Sequence, residues 1–160
     1  MIKALLLTLV LVVLLIAACS KQGGNAIVIK ITDNGISADA SEVIIKNFSP
    51  GARAEMIYRI HNATTKVAMP EVYYNTDADI ADYSKADGAI KALASVADWL
   101  EIPALSDIPP GQIKDIVVAL AMPNDARLTD KKIGFQVGVA GNTDDKVQTA
   151  VGIWWLVSMR

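Results

Sequence analysis

Arg53-Ala54-Glu55-Met56-Ile57-Tyr58-Arg59-Ile60-His61-Asn62 carries the sharpest pattern in the chain. Ala54, Met56, Tyr58 and Ile60 fall on one face, and Arg53, Glu55, Arg59 and His61 on the other, with Ile57 the exception. Alternation with a period of two is the signature of a strand buried on one face and wetted on the other. A one-residue slip in its pairing would turn the whole apolar set to water, so such a strand also specifies its register. It is bracketed by turn chemistry. Asn47-Phe48-Ser49-Pro50-Gly51 precedes it, with Pro presetting φ and Gly admitting positive φ, and Asn62-Ala63-Thr64-Thr65 follows it.

The flanking segments repeat this grammar. Upstream, Ala26–Ile31 is short and β-branched, Asp33-Asn34-Gly35 is a turn, and Ile36–Ile45 reads as one further extended stretch. Downstream come Val67–Asn75, with Pro70 marking an edge or a late start, then Asp98–Ile102 with Trp99 inward, and a long apolar strand over Ile113–Met122. In the next stretch Ile133, Phe135, Val137 and Val139 alternate with Gly134, Gln136 and Gly138, and Val147–Met159 closes the chain. Hard turns at Ile108-Pro109-Pro110-Gly111, Pro123-Asn124-Asp125 and Gly141–Asp145 separate them. Thr76–Val96 differs, being rich in Asp and Ala; it reads as an insertion, with a helical turn or two within Asp82–Ala97. Seven to eight short strands with Pro/Gly turns between them imply an all-β, antiparallel β-sandwich with a short, partly helical insertion.

The first residues belong to a different object. Lys3 is the only charged side chain before residue 19, Ala4–Ile16 is apolar apart from Thr8, and Ala17 and Ala18 are small. Charge, apolar run and small-residue cleavage site form the layout of a secretory signal. The apolar run is about 15 residues, short of the ~20 that a spanning helix needs. Leu15-Ile16-Ala17-Ala18-Cys19 resembles the lipobox of bacterial lipoproteins. That resemblance implies cleavage before Cys19 and acylation of its thiol, which would anchor the chain without any other device. More than one acyl chain is needed for stable anchoring, which a triacylated Cys supplies. The expected organisation is therefore a signal peptide over residues 1–18, a lipidated Cys19 with a flexible tether over residues 19–25, and one sandwich domain over residues 26–160. The expected location is the cell membrane or the outer membrane, lipid-anchored and extracytoplasmic. Ser20 stands where an Asp, in that family, often signals retention at the inner membrane.

Two further segments resemble known domains. Phe48-Ser49-Pro50-Gly51 followed by Tyr58-Arg59-Ile60-His61-Asn62, and Trp99-Leu100-Glu101-Ile102-Pro103 followed by Pro110-Gly111 and a strand ending Met122-Pro123, are similar to the immunoglobulin-like domains of bacterial surface proteins. They are more distantly similar to the first domain of periplasmic pilus chaperones. The resemblance spans about residues 36–140 and implies an immunoglobulin-like sandwich. It departs from antibody domains in lacking their Cys–Trp–Cys pattern. The two basic residues with which pilus chaperones hold a subunit's terminal carboxylate have no match in it.

Composition narrows the function. The formal charge is −2, and loss of Lys3 with the signal leaves −3 (−2 less +1), a balance that does not suit nucleic acid. The single Cys is assigned to the anchor, so the fold must stand on its core without a disulfide. His61 is the only histidine. With no Gly-x-Ser-x-Gly elbow and no free Cys, neither a catalytic triad nor a zinc centre can be assembled, and no metal or cofactor is expected. Asp77, Asp79, Asp82 and Asp87 are the densest acidic group, without the Gly and closing Glu of a calcium loop. Asn47-Phe48-Ser49 and Asn62-Ala63-Thr64 match a glycosylation sequon in form.

The remaining chemistry is aromatic. Trp154 and Trp155 must point to opposite faces of a strand, one into the core and one outward. An outward indole, joined by Tyr73, Tyr74 and Tyr83, would make a binding surface, since aromatics dominate interface hot spots. The chain thus reads as a non-enzymatic structural or interaction module of the cell envelope, with the membrane and an envelope protein as partners. The alternative reading is an extracytoplasmic lipoprotein that binds a small molecule or carbohydrate, with Thr76–Val96 as a lid over the Tyr and Trp side chains.

Overall fold

The computed structural model describes residues 26–75, 96–142 and 149–160. Among these residues, nine strands form two sheets: β1 (Ile27–Thr32), β2 (Gly35–Ala38), β3 (Glu42–Phe48), β4 (Arg53–Asn62), β5 (Met69–Asn75), β6 (Leu100–Glu101), β7 (Ile113–Ala121), β8 (Lys132–Asn142) and β9 (Thr149–Met159). One sheet runs β2-β1-β4-β7-β6 and the other β3-β9-β8-β5. Helical residues, α1 (Val96–Trp99), lead into β6. The triplets β4-β7-β6 and β5-β8-β9 reproduce the two half-sheets of an immunoglobulin-like sandwich.

The alternation in β4 is realised residue by residue. Tyr58, Ile60 and Asn62 are buried, while Arg53, Glu55 and Arg59 are exposed. Ile29, Tyr58, Ile60, Val118 and Leu120 of one sheet face Phe135, Val137, Val139, Ile153 and Trp155 of the other, all fully enclosed. Each large side chain so enclosed contributes about 1.5–3 kcal/mol through removal from water. The centre of this core contains polar atoms, and they are paired. Trp155 Nε1 donates to Tyr58 Oη at 2.9 Å, and Tyr58 Oη donates to the Val137 carbonyl at 3.3 Å. The Trp155 indole stacks on Phe135 with centroids 5.7 Å apart. Burial pushes the Tyr58 phenol well above its ordinary value, the hydrogen bond from Trp155 opposing this only in part.

Three expectations need correction. The sandwich is not wholly antiparallel: β1 lies parallel to β4, and β3 parallel to β9. The cause is the second correction. Ile36–Ile45 is not one strand but two, because the chain changes sheets at Asp39–Ser41. Asp39 closes the β1–β2 hairpin by donating its N–H to the Val28 carbonyl and accepting the Val28 N–H at Oδ1, at 3.0 and 2.8 Å. Beyond it, Ser41 accepts the Trp154 N–H at 2.8 Å and starts β3 on the opposite sheet. Third, Asp98–Ile102 is strand only at Leu100–Glu101. Val96–Trp99 is helical, and Trp99 is half-buried against the core rather than part of a ladder. Pro103, which has no N–H to donate, follows β6 after a single residue, Ile102.

Candidate interaction surface

The two adjacent tryptophans divide between faces. Trp155 is fully enclosed and contributes nothing to any surface. Trp154 points outward from β9, opposite Gln136 of β8 and Glu42 of β3. Tyr73 lies on the same outer face, opposite Gly138, whereas Tyr74 alternates to the other side of β5, where it is 48% exposed. The Tyr73 ring lies on Gly138, in the space that a Cβ there would take. Gly138 pairs directly with Gly152, which the Gln136 side chain covers in the same manner. Tyr73 and Trp154 are thus brought to one face, but neither is a free platform. Tyr73 covers bare backbone in place of the missing side chains, and both rings are half-buried. Tyr83, Cys19 and the group Asp77, Asp79, Asp82 and Asp87 lie outside the described residues.

Other candidates resolve into structural roles. Among the described residues, no group of three or more His, Cys, Asp or Glu is placed to hold a metal ion, and no helix is long and apolar enough to cross a membrane. His61 sits on the outer face of β4, between Lys30 of β1 and Ile113 of β7. Asn62, read as a turn residue, is completely buried. Its Nδ2 donates to the carbonyls of Lys66 and Ile108, both at 2.8 Å, and its Oδ1 accepts from the Thr64 N–H and Oγ1. With both amide hydrogens engaged and no exposed surface, Asn62 is not a glycan acceptor in the folded chain.

What the sequence did not reveal is the exposed face and margin of β7. On the outer face of the five-stranded sheet, Ile57 lies opposite Val117, and Arg59 opposite Asp115. Arg59 grips Asp115 with two hydrogen bonds, Nε to Oδ1 at 2.9 Å and Nη2 to Oδ2 at 2.7 Å. These bonds, and the guanidinium charge behind them, hold the Asp115 carboxyl below its usual range. Beside them Ile113 is 57% and Val117 44% exposed.

The ladder between β4 and β7 is unbroken from Arg53/Ala121 to His61/Ile113. At its two ends the Met122 N–H bonds the Ala52 carbonyl, and the Asn62 N–H bonds the Gln112 carbonyl. Hydrogen-bonded and non-hydrogen-bonded pairs alternate in an antiparallel ladder. Lys114, Ile116, Val118 and Leu120 therefore turn their N–H and C=O groups to β4. Ile113, Asp115, Val117 and Ala119 turn theirs to the far side. There β6 pairs only with Ala119 and Leu120. The chain then leaves at Pro103 and folds Ile102 and Leu105 against the core, while Lys114 Nζ donates to Ser106 Oγ. Among the described residues nothing pairs with the margin at Ile113, Asp115 and Val117.

The other margins are guarded in the ways that natural sheets guard them. In sheet order, β2 has four residues, β3 carries a register shift between Ile45 and Phe48, and β5 contains Pro70 and Glu71. A signal for the β7 margin was present in the sequence: Ile113-Lys114-Asp115 opens a strand whose preceding segment holds Pro103, Pro109 and Pro110 and so cannot form a neighbour to it.

No protein-family model and no curated protein matches the chain. Among solved structures it is similar to an ASH / PapD-like domain of human CEP192, PapD-like domain 7, with a TM-score of 0.52 at 9% identity, over 76% of this chain and 82% of that one. It is also similar to the periplasmic chaperone SfaE, with a TM-score of 0.49 at 13% identity, over 79% of this chain and 58% of the chaperone, little more than half of its length. Identities this low carry the fold and nothing beyond it: an immunoglobulin-like β-sandwich.

Proposed function

We propose that this chain is a non-enzymatic interaction module of the cell envelope, lipid-anchored through Cys19 on the extracytoplasmic side of a membrane, and that it engages an envelope protein by strand pairing at the margin of β7. The observation that carries the reading is the run of backbone donors and acceptors at Ile113, Asp115 and Val117 that is unpaired among the described residues, with the Ile113 and Val117 side chains exposed beside it. A free sheet margin is a template for another extended chain, and main-chain hydrogen bonds supply the affinity. The anchor rests on the sequence from Lys3 to Cys19, which fits a lipoprotein signal.

The reading is tested by photo-crosslinking in the native envelope. A crosslinking amino acid at Val117 is expected to form an adduct with a second polypeptide, while one at exposed Thr65 is not. Absence of any adduct at Val117, or equal adducts at both positions, would overturn it.

A further inference from the structure

The β7 margin has a chemistry more specific than that of a bare strand edge. The residues whose N–H and C=O groups face outward, Ile113, Asp115 and Val117, also place their side chains on the exposed face of the sheet. An added strand would therefore set three of its side chains opposite an apolar, an anionic and an apolar residue, in that order. Cross-strand pairs of complementary character stabilise a sheet, and like charges placed opposite each other destabilise it. A second copy of this chain is disfavoured on that ground. The symmetric antiparallel pairing that matches Ile113 with Val117 of the other copy sets Asp115 directly against Asp115.

We infer that the β7 margin selects an extended peptide of the pattern apolar–any–Lys/Arg–any–apolar, with its cation opposite Asp115 and its apolar residues opposite Ile113 and Val117. The inference rests on the reading of β7 as the docking site and names the chemistry of the partner there. Arg59 has a part in it. Its two hydrogen bonds hold the Asp115 carboxylate in place and favour its ionised form. Both carboxylate oxygens retain lone pairs for a further donor, since each can accept more than one hydrogen bond.

The test uses two capped heptapeptides, Thr-Val-Thr-Lys-Thr-Val-Thr and the same sequence with Glu at the centre, titrated into the whole chain in detergent micelles. Binding is followed residue by residue through NMR shifts and amide exchange. The Lys peptide is expected to shift and protect the Ile113, Asp115 and Val117 amides and to bind about tenfold more tightly than the Glu peptide. Asp115→Lys should reverse the preference. Val117→Pro should abolish binding of both while the β4 ladder keeps its protection, because the N–H removed is one that β4 does not use. Equal binding of the two peptides, or unchanged amides at millimolar peptide, overturns the inference. So does concentration-dependent protection of the same amides without peptide, which would assign the margin to a second copy. If the peptides fail while the crosslinker at Val117 still finds a partner, the sequence preference falls and the docking site stands.

Discussion

At the scale of single residues, Asn62 shows how a side chain can pass for a turn signal and serve as a joint. Its Nδ2 spans the Lys66 and Ile108 carbonyls, and its Oδ1 holds Thr64. It thereby ties the end of β4 to two loops, while the Ala63 N–H beside it bonds the Ile31 carbonyl of β1. The burial of Asn62 was legible, since it continues the phase of Tyr58 and Ile60. Its partners were not, because Ile108 is remote in sequence and no local rule brings it there. Asn62→Ala is expected to destabilise the fold by about 1–3 kcal/mol, since it strands the buried Thr64 N–H and takes one donor from each of the Lys66 and Ile108 carbonyls, which keep Thr64 Oγ1 and the Ala68 N–H. Asn62→Asp should be worse at neutral pH, because a carboxylate offers the two carbonyls no hydrogen. Burial among carbonyl oxygens would raise its folded-state pKa above the unfolded value. The defect should therefore shrink as pH falls through that raised pKa. Urea unfolding of both variants at pH 7 and pH 4 checks this; equal losses for Asn62→Asp at the two pH values would contradict it.

At the scale of elements, β8 and β9 were legible as strands from alternation alone, and Trp155 and Trp154 had to split between faces. The sheet change between β2 and β3 was not legible. Ile36–Ile45 has strand composition throughout, and the break depends on Asp39 finding Val28 across a hairpin. Nor was the role of Tyr73, which depends on Gly138 and Gly152 meeting across a ladder. The two glycines differ in what surrounds them. A Cβ on Gly138 would lie 2.5 Å from the Val151 backbone oxygen as well as against the Tyr73 ring, whereas the three atoms nearest to one on Gly152 all belong to the flexible end of Gln136. Gly138→Ala is therefore expected to cost about 1–3 kcal/mol through overpacking, and Gly152→Ala clearly less. Thermal or urea denaturation ranks the pair; the reverse order would refute the packing assigned to this face.

At the scale of the whole molecule, stability and placement follow from different parts of the chain. Glu101, Asp115 and Asp125 each have a carboxyl lowered by a hydrogen bond from an arginine (Arg53, Arg59 and Arg127 in turn), with the arginine's charge adding to it. A carboxyl lowered on folding stabilises fully above its unfolded value, about 3.9 for Asp and 4.3 for Glu, and loses that contribution as pH falls through the folded value. All three pairs are exposed, so their joint effect is small. The urea midpoint should stay level from about pH 7 to 5 and fall below about pH 4, and Arg59→Met should make that acid fall shallower. A midpoint that rises on acidification would contradict these assignments.

The fold was legible in the sequence because alternation and turns repeat along the chain. The β7 margin was signalled only indirectly, by Pro103, Pro109 and Pro110 before it, because openness is a property of what fails to lie beside a strand. The account as a whole depends on where the domain is held. The direct measurement is the intact mass of the protein extracted from the membranes of its own host. The expected mass begins at Cys19 and carries a diacylglyceryl thioether, with or without an N-terminal acyl chain. A mass that retains residues 1–18, or that shows a free thiol at Cys19, would contradict the lipid-anchored module proposed here.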